Sequence, residues 1–532
     1  MSPNPSARVP TKARVKSSSK TSTDRVKSGA DDPVARREPR DAKASGSRWE
    51  RLQGWGERQL TYRPELVILT LLALLTRFWD INSQQTVVFD EVYFKTAAGD
   101  YRTHQYFFDP HPPLSKMLIS LWSWLSGQNP NVVASSTEAD SVVRYLPAFA
   151  GAMLVPIVWV ILRQLKASRR VAALGAAAVL LDNALIVESR FVLTDSLLIA
   201  FGVGAVAAYL ATRTRTGWRF WAFVVLAALL GGAAFATKWT GATALALIAL
   251  IWLYDVGQKV YTEMFRGRRG FDRSWWRIAG VAAIFLVLPP LLYFGAFWIH
   301  FQLLTHSGPG DAYMSARFQR TLIGNPNYDP NYHMTFWGKF WDTYHASTLY
   351  EKEVTKIGHP YGSRWNQWPL MNRSIYYWAG PSVGGEQGNI YLIGNPMVWW
   401  GAVIGMIAVA SNMLFQLRRF AGYIFALCLL GVAYLMNWLP FERIHRVMFL
   451  YHYLFALLYC VMFAVLGLGV LMNWNRESDE HFWQTWAWKR DWLYVTILGL
   501  IVVGYLFIFP LTYGWRLTPG ALDFRMLLNK WR

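Results

Sequence analysis

Two adjacent carboxylates, Asp90 and Glu91, stand in the run Val87-Val88-Phe89-Asp90-Glu91-Val92-Tyr93-Phe94-Lys95. A carboxylate can take a proton from a hydroxyl in a transition state. Its pKa climbs when neighbours strip away its water and falls beside a cation. Most acidic dipeptides are ordinary solvated pairs, but Phe89, Val92, Tyr93 and Phe94 wrap this one in apolar bulk. Further along comes Phe108-Asp109-Pro110-His111-Pro112-Pro113-Leu114-Ser115-Lys116. Proline fixes φ and pushes the residue before it out of helix, so a stiff extended turn is expected to present His111 just before a helix opens. A plain loop-to-helix entry is the bland alternative.

The cations form a second group. Arg144 opens an apolar run, and Arg190 and Asp195 bracket the junction of two others. Lys238, in Ala236-Thr237-Lys238-Trp239-Thr240-Gly241, is a lone cation between apolar runs. It calls for an anionic partner, either a protein carboxylate or a phosphate. Arg443, His445 and Arg446 cluster in Phe441-Glu442-Arg443-Ile444-His445-Arg446. Ionisable groups beside apolar spans are costly and are usually paired or functional. Cations and histidines gathered at one membrane face could hold a lipid phosphate at headgroup depth. Salt bridges to Asp182, Glu188, Asp195 and Glu442 are the structural alternative. No His/Asp group has convincing metal spacing, so no metal is expected. Cys428 and Cys460 lie in apolar runs, which excludes a disulfide framework or Cys-based zinc site and reads as small core residues.

These residues need elements to position them, and the composition says which kind. Of 532 residues, 53% are hydrophobic and only 16% charged, against about 25% charged in soluble domains. Apolar runs long enough to cross a bilayer recur along the chain. An all-α polytopic membrane protein with about 11 transmembrane helices is therefore expected, with spans centred near Leu71, Val155, Ala178, Gly202, Leu226, Leu247, Leu286, Ile404, Ala426, Phe455 and Leu500. The net charge of +20 sits mostly in the N-terminal tail and short loops, which fits positive flanks on one side of a membrane and not nucleic-acid binding. Basic stretches at 163–170, 213–219, 259–277, Arg418-Arg419 and 476–490 alternate with the other connections. They place the N-terminus in the cytoplasm and the C-terminus outside. Two long connections then lie outside, 83–141 and 301–395, the second dense in Trp, Tyr, Gly, Pro and Asn with helices expected at headgroup level. Residues 1–63, rich in Ser, Arg, Lys and Pro, form an expected disordered cytoplasmic tail ahead of the membrane domain of 64–532.

Five motifs in one order, Phe89-Asp90-Glu91, Asp109-Pro110-His111-Pro112-Pro113-Leu114, Arg190-Phe191 through Asp195, Lys238-Trp239 and Phe449-Leu450-Tyr451-His452-Tyr453, resemble the protein O-mannosyltransferase family. The likeness runs from about Pro64 to the C-terminus, and the basic tail has no counterpart. The resemblance implies a GT-C type glycosyltransferase fold. It also implies a polyprenyl-phosphate-mannose donor and Ser/Thr hydroxyls of translocating proteins as acceptors. Asp90 and Glu91 carry over as the catalytic pair, and Arg144 and Lys238 as functional cations. Eukaryotic members insert a β-trefoil MIR domain in the long outer loop. The 301–395 connection is too short for one, which resembles the bacterial branch.

The implied chemistry is a single displacement with inversion. Asp90 is expected to accept the hydroxyl proton and Glu91 to orient acceptor or sugar, in roles the sequence does not order. Lys238, Arg144, Arg443 and Arg446 are expected to stabilise the leaving phosphate. His111, Arg190, Asp195, His445 and His452 are the other site candidates. No cofactor is expected beyond the lipid-linked donor. Expected surroundings are the plasma membrane, membrane lipid, protein acceptors and the Sec translocon, with the site extracytoplasmic. An arabinosyl- or oligosaccharyltransferase-like enzyme shares topology and acidic loop, and a secondary transporter is the alternative from another class. A transporter should show repeated halves and mid-span charges; here the polar residues gather at one face.

Overall fold

A computed structural model describes residues 63–266, 273–354, 358–475 and 488–532. Apart from Arg63, the expected basic tail lies outside the described residues, as do parts of the 259–277 and 476–490 stretches. All eleven expected span centres fall within helices. A helix of about 20 residues rises about 30 Å, the thickness of a bilayer's hydrocarbon core. Among the described residues nine helices are long and apolar enough to cross, or ten with one bent pair counted as a span. The helix at the first centre, Pro64–Phe78, is 15 residues long and falls short of that test.

The helices sort by how much protein surrounds them. Leu450–Leu471 has 89% of its apolar window buried inside the protein and Asp195–Thr212 83%, so these two form the centre. Trp275–Leu303 has only 17% buried, with Leu286, Val287 and Leu291 exposed. A helix that is apolar all round yet exposed belongs against lipid. Close packing at the centre uses glycine. A Cβ at Gly202 would sit 2.3 Å from the Phe455 ring, and one at Gly151 would meet Ser189. Small residues at such crossings let helix backbones approach where no water is available to drive association. Cys460 is buried at the centre, whereas Cys428 is exposed on its helix, a revision of its expected core position.

The bent pair, Arg169–Leu180 and Asn183–Ser189, turns by 58° at Leu181-Asp182. Asp182 caps the second helix by accepting the Leu185 N–H at 3.0 Å. Its other oxygen accepts from the Asn395 N–H at 3.0 Å and the Trp399 indole at 2.8 Å. This break in the span therefore has its orphaned backbone groups and its buried carboxylate satisfied.

The long connections are built, not slack. The first holds helices Glu91–Thr103, Leu114–Leu125 and Pro130–Ala134. The second holds helix Phe336–Val354, whose Phe336, Trp337 and Phe340 pack on Phe294, Phe297 and Phe301. Trp337 and Trp341 on this helix are exposed. An antiparallel hairpin follows, β1 (Ile375–Val383) and β2 (Glu386–Leu392), turned by Gly384 and Gly385. Both glycines have positive φ, 63° and 80°, as a tight two-residue turn requires. Two residues near the C-terminus, β3 (Arg516–Leu517), add to β2. This small sheet departs from a purely helical expectation. Its Trp378 indole reaches across to the Thr86 hydroxyl at 2.9 Å, tying the second long connection to the first.

Candidate active site

The acidic pair is split by its backbone. Phe89 has a φ of +48°, a strained conformation for a bulky residue. Its ring is clamped by stacking on Tyr377 of β1, with centroids 4.6 Å apart and planes 10° from parallel. The Tyr377 hydroxyl in turn donates to Glu188 at 2.6 Å. Asp90 follows at the N-terminal boundary of helix Glu91–Thr103, but with φ −71° and ψ −2° its backbone is already helical. A side chain caps a helix from an extended backbone, so Asp90 makes no capping bond. Among the described residues its carboxylate accepts no hydrogen bond, and it faces a cavity of about 830 Å³.

Glu91 turns the other way. It is fully buried and grips Arg144 with both oxygens, at 2.8 Å from Nε and 2.7 Å from Nη2. It also accepts from the backbone N–H of Val88 at 3.0 Å and of Val192 at 3.1 Å. Arg144 spends its remaining donors on the carbonyls of Ile81, Gln84 and Thr86. Neither residue lines the cavity. The expectation that Glu91 orients a substrate and that Arg144 binds the donor phosphate is corrected on this ground: every donor and acceptor of the pair is consumed internally. Arg190 is likewise spent on the carbonyls of Arg77, Trp79 and Asp80, with Tyr513 against its guanidinium.

Six expected residues do meet in the cavity: Asp90, His111, Asp195, Lys238, Arg446 and His452. Lys238 has its anionic partner in Asp195, at 2.5 Å, and lies 5.5 Å from the centre of the Tyr451 ring. Arg446 reaches Glu351 of helix Phe336–Val354 at 3.1 Å. His111 is held by its turn as expected. Asp109 accepts the His111 N–H at 2.6 Å, and Lys116 bonds Asp109 at 3.2 Å and the carbonyls of His111 and Pro112 at 3.3 Å. Burial pushes the His111 pKa down to about 3, with Lys238, Lys116 and Arg446 adding to the effect against Asp109, so its imidazole is neutral. Burial pushes the Asp90 carboxyl up to about 6; Asp195 adds to this and Lys238 opposes it. Arg443 is exposed and lines neither this cavity nor its neighbour, and His445 belongs to the neighbouring pocket.

Three contributors, Tyr377, Asp100 and Glu351, escaped sequence reasoning, and Glu188 appeared there only as a possible salt-bridge partner. Tyr377 and Glu188 lock Phe89, and only the pairing of distant segments reveals it. Asp100 faces the cavity from the same helix as Asp90, with burial pushing its pKa up to about 7. The signal for Glu351 was the amphipathic aromatic helix that carries it. Among the described residues no three His, Cys, Asp or Glu side chains are grouped to hold a metal ion. Aromatic and apolar walls with a few convergent charges are the make-up of a ligand-binding cavity.

Residues 67–305 match the family described as dolichyl-phosphate-mannose-protein mannosyltransferase, and residues 336–531 match the C-terminal four TMM region of protein-O-mannosyltransferase. Protein O-mannosyltransferase 1 of Drosophila melanogaster is 35% identical over 265 residues, 48% of this chain and 30% of that protein. Dolichyl-phosphate-mannose–protein mannosyltransferase 4 of Candida albicans is 31% identical over 287 residues, 51% of this chain and 37% of that protein. The chain thus spans about a third of the length of the curated relatives it matches. A chain of the S. cerevisiae protein O-mannosyltransferase Pmt1-Pmt2 complex, solved bound to the sugar donor, has the same fold. Its TM-score is 0.74 over 89% of this chain and 93% of that one, at 18% identity. The architecture is the GT-C type fold expected from the sequence.

Proposed function

The chain belongs to the protein O-mannosyltransferase family, and from that premise we propose that it transfers mannose from a polyprenyl-phosphate-mannose donor to Ser/Thr hydroxyls of proteins. The observation that carries this reading is Asp90. It is a carboxylate without a hydrogen-bond partner among the described residues, facing a cavity that also holds Lys238 and Arg446. The acceptor hydroxyl oxygen attacks the anomeric carbon while its proton passes to Asp90. The bond from that carbon to the phosphate oxygen breaks, and the lipid phosphate leaves with the electron pair. One base and no covalent nucleophile give inversion. With a pKa near 6, Asp90 is ionised at neutral pH yet basic enough to take a proton late in the transfer. The phosphate needs cations and no general acid, and Lys238 and Arg446 are placed to supply them. Glu91 and Arg144 act as the frame that fixes the start of the Asp90 helix. Arg443, Arg190 and His445 do not line this cavity.

The positive loops support an N-terminus in the cytoplasm and a cavity outside; the proposed setting is the plasma membrane, with acceptors met during or after passage through the Sec translocon. The deciding assay gives membranes radiolabelled polyprenyl-phosphate-mannose and a Ser/Thr-rich peptide. The wild-type chain labels the peptide, with or without a chelator. Asp90→Asn loses about 10²–10⁴-fold in rate while still binding donor. Full activity in Asp90→Asn moves the base elsewhere. Transfer only from a different lipid-linked sugar leaves the fold and discards mannose.

A further inference from the structure

A second pocket of about 830 Å³ adjoins the cavity and shares Gly358, His359, Ile444, Arg446 and Val447 with it. Its own wall carries Arg364, Arg373 and Lys530 against a single carboxylate, Glu442. Among the described residues neither the Arg364 guanidinium nor the Lys530 ammonium has an ion-pair partner. Arg373 is braced by a hydrogen bond to the Gly362 carbonyl at 3.2 Å, which leaves most of its charge unspent. Like charges crowded around one space repel each other, and an anionic occupant relieves that repulsion.

We propose that this pocket binds acidic side chains of the acceptor polypeptide, so that the protein prefers hydroxyls flanked by Asp or Glu. The inference rests on the transfer reading above. The pocket lies directly beside the cavity, because Arg446 and His359 wall both. An extended chain advances about 3.3 Å per residue, so side chains a few positions from the reacting hydroxyl reach the second space. The wall is made of loops and short 3-10 turns, including Trp365–Gln367, Leu439–Arg443 and Asn529–Trp531. Among the described residues it offers no long apolar groove for acyl chains, which favours a polypeptide over a lipid headgroup. Arginine at such a wall accepts carboxylates in a fork, which adds direction to charge.

The test uses the full chain in nanodiscs of zwitterionic lipid with two fluorescent Ser/Thr-rich peptides. One carries three Glu on one flank and the other three Gln. The wild type should bind the Glu peptide about tenfold more tightly at low salt, with the difference shrinking as salt rises. The double variant Arg364→Glu/Lys530→Glu should erase or reverse the preference while keeping kcat/KM on the Gln peptide within about twofold. Both side chains are exposed, so the variant should fold. Equal binding of the two peptides by the wild type overturns the proposal. So does an equal loss for both peptides in the variant, or a raised donor KM, which would assign the pocket to the lipid phosphate. Competition by added anionic lipid also overturns it and makes the ligand a headgroup. A clear binding preference with no transfer to either peptide would sink the mannosyl reading and leave the pocket standing.

Discussion

The cavity wall around Asp90 and the layer beneath it around Glu91 use the same residue types in opposite ways. In the layer, Glu91, Arg144 and Arg190 are buried, and their donors and acceptors go to one another or to backbone groups. In the wall, Asp90 has no hydrogen-bond partner among the described residues, while Lys238 and Arg446 share their charge with Asp195 and Glu351. A saturated buried ion pair has nothing left to offer a substrate, though removing one partner strands the other. An unsaturated carboxylate in a half-dry cavity is costly for the fold and useful for chemistry. The difference teaches that adjacency in sequence says little about role.

The widest separation of the two regions should come from Glu91→Gln. It leaves Arg144 buried and unpaired, and should cost about 3–5 kcal/mol of stability. Asp90→Asn should leave Tm unchanged or raise it, so thermal unfolding in detergent measures the contrast directly. A Glu91→Gln chain of wild-type stability would erase the distinction between wall and layer.

Lys238 straddles the two behaviours and gives the next effect. Lys238→Met strands Asp195 and should lose both stability and activity. The double variant Lys238→Met/Asp195→Asn should recover most of the stability but stay about 10²-fold or more below wild type in rate. Recovery of the rate along with the fold would make the pair purely structural.

The pH dependence follows from Asp90. Its pKa is raised to about 6, so below that pH it is protonated and cannot accept a proton. kcat/KM should fall about tenfold per pH unit below 6 and level off above it. A flat profile between pH 5 and 7 would remove Asp90 as the base.

The smallest effect concerns Asp100. Its folded pKa is raised to about 7, so the folded chain holds a proton that the unfolded chain releases near pH 4. Stability should therefore fall as pH rises from about 4 to 7. Asp100→Asn should remove that fall and gain about 1 kcal/mol at pH 8. An unchanged Tm there would show that water reaches Asp100 freely.

Much of the architecture was legible because its causes are local. Apolar runs marked all eleven helix centres, though Pro64–Phe78 and Arg169–Leu180 are each shorter than a full span, and the proline-rich turn around His111 needs only fixed φ angles. The Trp- and Tyr-rich character of 301–395 also announced a structured surface segment. The sheet of β1, β2 and β3 was not legible, because β3 comes from a two-residue segment far along the chain. At the site, residue types showed that Asp90, Glu91, Arg144, Arg190, Lys238, Arg443 and Arg446 were uncommon charges beside membrane spans. They could not say which charges cancel.

The sequence by itself determined that this is a many-span membrane protein with a carboxylate, histidines and cations set beside its apolar spans, since hydropathy and spacing act along the chain. Only the tertiary structure decided that Asp90 faces the cavity and Glu91 does not. That choice depends on Arg144 arriving from another helix, on Val192 offering its N–H, and on Tyr377 clamping Phe89 in a left-handed backbone. Pairing of charges and strain of a backbone are set by contacts between distant segments, and no local pattern encodes them.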